Sequence, residues 1–125
     1  MVKSIIYTLS AVALCIVFFI FVEVHVKDEF TKFNGAVCTL YDKVENEEVN
    51  REDAYAVRNL WENQKETLHI FLPHNDISYI DYWLNEACSL IYTKNYDLAL
   101  GKLEVLKEIS LNLPHGYTLK LENIF

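Results

Sequence analysis

From Ile5 to Val22 the chain reads IIYTLSAVALCIVFFIFV, eighteen residues without a charge, and no other feature limits its fold as strongly. Wound as a helix at ~1.5 Å per residue, such a stretch covers most of the ~30 Å hydrocarbon thickness of a bilayer. Val24 and Val26 prolong the apolar character past Glu23. A cleaved signal peptide would show a shorter apolar core closed by small residues, whereas this core runs into Phe21, Val22, Glu23 and Val24. A lipoprotein would need a small residue just before a cysteine, but Leu14 precedes Cys15 and the run continues beyond it. The stretch therefore reads as an uncleaved signal anchor, residues 1–26, with Cys15 as an ordinary apolar-face side chain.

Charge orients the anchor and bounds the partners. Lys3 is the only charged residue before Glu23, so all 18 acidic residues and all but one of the 11 basic ones lie beyond the apolar run. Lys3 and the free amino terminus on one flank face Glu23, Asp28 and Glu29 on the other, with Lys27 and Lys32 weakening the contrast. The expected topology is a single-pass cell-membrane protein, N-terminus cytoplasmic and C-terminal domain extracytoplasmic. About four residues would then face the cytoplasm, too few to fold, so a signal crossing the membrane would need a second protein. An acidic domain repels phosphate backbones, which excludes nucleic acid as a partner and disfavours tight docking on anionic lipid heads.

Beyond the anchor, only three Gly and two Pro in the whole chain favour helices over turn-rich sheets. Phe30, Phe33, Val37, Leu40 and Val44 fall on one stripe of a helix that continues the anchor, and the cluster Glu45 to Glu48 marks an exposed corner. Asn50 with Asp53 predicts a capped second helix carrying Ala54, Val57, Trp61, Leu68 and Leu72 inward until Pro73. A third helix is expected after Asn75, with the seam Ile77, Ile80, Leu84, Ala87 and Ile91. A fourth is expected after Asn95, with Ala99, Leu103, Leu106 and Leu113 inward and Pro114 and Gly116 ending it. Asn50 and Asn95 each open a helix that closes in Leu-Pro-His, the outline of two helical hairpins. The expected fold is all-α: the anchor, an antiparallel bundle of about four helices over residues 27–117, and a short extended apolar tail, 118–125, packed in a groove of the bundle or at the membrane interface.

The Trp61 helix, the segment His74-Asn75-Asp76-Ile77 leading to Ile80, Leu84 and Ala87, Asn95 with Ala99, Leu103 and Leu106, and the closing Leu119-Lys120-Leu121-Glu122-Asn123-Ile124-Phe125 together resemble the bacterial Domain of Unknown Function 4363 family. The resemblance covers most of the chain, and the terminal pattern is its most specific part. It implies a short protein of clostridia and related Firmicutes, with an N-terminal membrane segment and a helical extracytoplasmic domain. It supplies no activity. Where members of the family commonly show His-Ser-Glu this chain has His74-Asn75-Asp76, which keeps a capping residue and an acid and favours a helix-start role.

Reaction chemistry finds little support in the residues. There is no Ser-His-Asp or Cys-His motif, no glycine-rich phosphate loop and no carboxylate pair with a reason for a shifted pKa, so neither catalytic residues nor a cofactor are expected. Glu62, Glu66, Glu104 and Glu108 read as a solvated face. In an antiparallel bundle His74 and His115 would return to the membrane-proximal side, with His25 and Asp76 close by, as candidates for a metal site or pH sensor. The competing reading leaves each His at a polar corner, and His69 elsewhere on the second helix. Cys38 and Cys88 fall on diagonal helices, where two buried free thiols are favoured over a disulfide. Tyr55, Tyr79, Tyr82, Trp83, Tyr92 and Tyr117 add more aromatic surface than a small core needs, and Tyr79, Tyr82 and Trp83 are the candidate interaction residues. The resulting expectation is a non-catalytic interaction or scaffold module of the cell envelope that binds another envelope protein or itself. The alternative is a ligand, metal or pH sensor acting through a partner membrane protein.

Overall fold

The structure, a computed structural model, describes residues 1–117; the predicted extended tail lies outside the described residues. Among these residues there are four α-helices and no strand: α1 (Val2–Glu45), α2 (Arg51–Leu68), α3 (His74–Tyr92) and α4 (Tyr96–Asn112), followed by a 3₁₀ turn, Leu113–Tyr117. α1 runs 44 residues without a break, about 66 Å at the rise of an α-helix. Its first half is bare on every side, and its second half buries Val26, Phe30, Phe33, Val37, Leu40 and Val44. The apolar stretch, long enough to cross a membrane, and the first bundle helix are thus one rod.

α1 packs against α2 and α4, and α3 packs against the same two, so α1 and α3 lie on one diagonal of a four-helix bundle. Every residue of the predicted α1, α2 and α3 stripes is buried, as are Ala99, Leu103 and Leu106 of α4. Trp61 fills the middle, its ring centroid 5.0 Å from that of Phe33 and 6.4 Å from that of Phe30. Removing one of these large rings would cost about 3–5 kcal/mol.

Polar bonds between helices fix their relative heights. The buried Gln64 amide on α2 donates to the Glu29 carbonyl on α1 at 2.8 Å. Asn34 on α1 donates to the Lys107 carbonyl at 3.1 Å and to Ser110 Oγ at 2.9 Å on α4. Trp61 Nε1 donates to Asp81 Oδ1 at 2.6 Å, and Lys65 ion-pairs with the same carboxylate at 3.3 Å, tying α2 to α3. None of these polar residues belongs to an apolar stripe.

Three helix ends depart from the sequence expectation. α2 stops at Leu68 rather than at Pro73, yet the Phe71 and Leu72 amides both still donate to the Leu68 carbonyl, which tightens the chain and keeps Leu72 buried. α3 begins at His74, with Pro73 rather than Asn75 at its N-cap and no side-chain cap. Proline suits that position because its φ is preset and no amide is needed there, and its carbonyl accepts from Asp76 N–H at 3.1 Å. Asn75 therefore does not cap the helix. α4 gives way to the 3₁₀ turn at Leu113, because Pro114 has no N–H to continue the α-helical bonding. Leu113 is only partly buried there, and Ser110 takes the inward position.

The other ends follow the local chemistry. Asn50 and Asp53 form a reciprocal capping box at the start of α2, and Asp53 also holds Lys43 of α1 at 2.7 Å. α1 and α3 both end in a left-handed residue, Glu47 at φ 56° and Lys94 at φ 59°. The next amides, Glu48 and Asn95, reach back to the Lys43 and Leu90 carbonyls, which is the Schellman geometry. Glycine usually occupies this position because a Cβ costs roughly 1–2 kcal/mol there. Glu47→Gly and Lys94→Gly should therefore each raise unfolding free energy by up to about 1 kcal/mol, read by chemical denaturation in detergent.

The bonds to Lys43, and then to the Asn50 amide, hold the Asp53 carboxyl below its ordinary pKa. The folded state thus binds this proton less readily than the unfolded chain. Its contribution to stability is complete above the unfolded carboxylate value of about 4 and is lost as the pH falls through the depressed folded one. Asp53→Asn should flatten the acid limb of the stability profile while leaving its shape near neutral pH unchanged.

A candidate interaction surface on the third and fourth helices

The inward seam of α3 leaves Tyr79, Tyr82, Trp83 and Glu86 on a neighbouring stripe, at spacings of three, one and three. Tyr79 and Tyr82 are 53% and 57% exposed, too open for core residues. Both meet Trp83 edge to face, at centroid distances of 6.1 and 5.7 Å, so the three sequence candidates form one contiguous aromatic cluster. Such contacts pin the rings without covering them.

α4 supplies the other half of this face. Lys102 places Nζ 4.6 Å above the Trp83 ring and 2.9 Å from Glu86 Oε2, joining a cation–π contact to an ion pair. The bond to Lys102, and then that from Tyr82, holds the Glu86 carboxyl below its ordinary pKa, while the bond to Glu86 raises that of the Tyr82 hydroxyl. Leu98, 57% exposed, lies with Leu90 and Ser89 in a shallow depression beside Glu86 and Lys102. Trp83 Nε1 is buried without a hydrogen-bond acceptor. Glu86, Leu98 and Lys102 were missed in the sequence, because an ion pair between helices has no signature along the chain.

The end of the bundle next to the apolar half of α1 gathers histidines but does not combine the four predicted candidates. His25 lies between Phe21 and Phe71, each centroid 6.2 Å away, and its Nε2 is buried without a partner. His74 meets His69 at 6.1 Å, and its Nε2 lies 3.4 Å from Ser78 Oγ. His69 is thus the true neighbour of His74, contrary to its expected isolation: the turn that ends α2 at Leu68 swings His69 toward the start of α3. His115 instead lines a separate groove with Lys27, Phe30 and Asn34. Asp76 sits in the first turn of α3, where its charge suits the helix dipole. Among the described residues no group of three His, Cys, Asp or Glu side chains is placed to share a metal ion.

Cys38 and Cys88 are free thiols on the diagonal helices. Cys88 Sγ faces the Ala54 carbonyl at 3.8 Å in the core, where burial pushes its pKa up. Cys38, contrary to the expectation of two buried thiols, is only half-buried, because it lies beside the Val37 stripe and faces Asn34 Oδ1 at 3.7 Å. The Tyr55 and Tyr92 rings meet at a tilt, centroids 5.2 Å apart, at the far end of the bundle, apart from the α3–α4 cluster.

The family described as "Domain of unknown function (DUF4363)" matches residues 20–124. The chain belongs to this family. The match opens inside the apolar stretch and takes in the whole bundle, so the helical domain is its substance and most of the anchor precedes it. Comparison with curated proteins and with solved structures returned no match. The family description carries no activity, and functional argument rests on the surfaces themselves.

The histidine geometry has a direct check. A metal that bound only the folded chain would raise its melting temperature. Zinc or nickel added to the purified full chain should leave that temperature unchanged, and an upward shift would reveal a ligand set that this arrangement lacks.

Proposed function

We propose that the chain is a non-catalytic, membrane-anchored interaction module whose extracytoplasmic bundle binds another envelope protein through the α3–α4 aromatic face. The observation that carries this reading is the contiguity of Tyr79, Tyr82 and Trp83, continued along the same face through Glu86 and Lys102 to the depression that holds the exposed Leu98. Tyrosine and tryptophan offer large contact area with few rotatable bonds, and interfaces concentrate their binding energy on such residues. Single exposed apolar residues need no explanation, whereas a grouped patch does.

Charge favours a different protein over a second copy as the occupant. All 18 acidic residues lie beyond the apolar run, with 11 basic residues in the whole chain, so two copies of the domain repel one another. The anchor places the partner in or on the same membrane.

A photo-crosslinking residue at Tyr82 in the full chain, expressed in native membranes, tests this. One discrete heavier adduct is expected, absent when the probe is moved to Glu66 on the solvated face of α2 and lost on Leu98→Asp. An adduct of twice the chain mass would replace the foreign partner with self-association. Recovery of monomer alone from every probe position would sink the interaction reading.

A further inference from the structure

We propose that the bundle has a second lipid-contacting surface: the connection between α2 and α3, led by Ile70 and Phe71, sits in the interfacial layer of the bilayer beside the emerging α1. The inference rests on reading the first half of α1 as a membrane span.

Because α1 is unbroken from the apolar run into the bundle, the position of a residue along its axis sets its level relative to the bilayer. The charge-free run ends at Val22, and the Glu23–Lys27 ion pair, at 3.0 Å, marks where the helix meets water and headgroups. The α2–α3 connection touches α1 at this level. The Phe71 ring lies 6.2 Å from His25, and Phe71, Leu72 and Pro114 share a groove of about 270 Å³ with Phe19, Val22 and Val26. Phe19 lies one helical turn on the membrane side of Glu23, about 6 Å deeper. A connection that shares a groove with Phe19 does not stand clear of the lipid.

The connection also has the chemistry for that place. Ile70, Phe71, Leu72 and Pro73 carry no charge, and Ile70 is 76% exposed, more than Leu98 or Leu111 elsewhere on the bundle. Among the described residues little covers its side chain, whereas the interface of a bilayer accepts apolar side chains several ångströms below the headgroups. The neighbouring His69 and His74 are exposed and polar, suited to headgroup level. Contact of this kind is driven by apolar burial and does not require anionic lipid, in keeping with the acidic character of the domain.

With two points of contact at the interface the rod is held against tilting, because tilt would lift the connection out of the interfacial layer or push it deeper. The end of the bundle then stays on the membrane and the α3–α4 face points sideways, toward a neighbour in the same bilayer.

The test uses the full chain in phosphatidylcholine vesicles with three separate substitutions, Phe18→Trp in the span, Ile70→Trp in the connection and Tyr55→Trp at the far end of the bundle. Acyl chains brominated near the glycerol or near the terminal methyl quench tryptophan according to depth, each variant being compared with the unsubstituted chain. The proposal expects the added fluorescence of Ile70→Trp to fall more with the shallow bromines than with the deep ones, with Phe18→Trp also quenched and Tyr55→Trp unaffected. If Phe18→Trp is quenched but Ile70→Trp behaves like Tyr55→Trp, the anchor stands and the second contact is wrong. If Phe18→Trp escapes quenching as well, the span itself fails and the proposal falls with it.

Discussion

The structure depends on the backbone hydrogen bonding of one helix. In hydrocarbon an unpaired N–H or C=O has no water to turn to, so a segment as apolar as residues 5–22 is stable there only as a helix. That helix continues for about two dozen further residues without a break. No proline lies between Val2 and Glu45, and the inward stripe from Val26 to Val44 gives the continuing turns a core to rest on. A continuous helix couples the orientation of its apolar half to that of the bundle. The other three helices are built against this rod.

Apolar packing alone would leave those helices free to shift along one another by a turn, since Leu, Ile and Val stripes are nearly self-similar under such a move. The hydrogen bonds from Gln64 to the Glu29 carbonyl and from Asn34 to Lys107 and Ser110 remove that freedom. Each links a side chain to a single height on the neighbouring helix. The Trp61–Asp81–Lys65 set does the same between α2 and α3. A buried amide or indole left without its partner would cost about 1–3 kcal/mol, so a slip in register is opposed by more than lost contact area. Gln64 Oε1 remains without a partner, so the satisfaction of this layer is incomplete.

The two ends and sides of the bundle divide the surface by chemistry. The far end and the outward face of α2 are charged, with Glu62 and Glu66 in solvent. The α3–α4 side carries the aromatic cluster held by Lys102 and Glu86. The proximal end is apolar around Phe71 and Pro114. A small domain with such a surface has several ways to meet its surroundings. Membership of the DUF4363 family is consistent with the helical domain being the shared unit and leaves its role to experiment.

The sequence by itself determined which segments are helical and which faces turn inward, because helix periodicity and apolar burial act over a few residues at a time. The stripes at Phe30 to Val44, Ala54 to Leu68 and Ile77 to Ile91 follow from residue spacing, and the Asn50 cap follows from residue type. Helix ends were less legible. Whether Pro73 or Asn75 caps α3, and how far α2 runs, turns on a balance between local bonding options that a pattern of residue types does not resolve. Tertiary structure decided what lies across a helix boundary: Lys102 over Trp83, His69 rather than His115 beside His74, and Asn34 beside Ser110. Those meetings depend on the rotation and height of whole helices, set by the packing of the entire core, and no single stretch of chain encodes them.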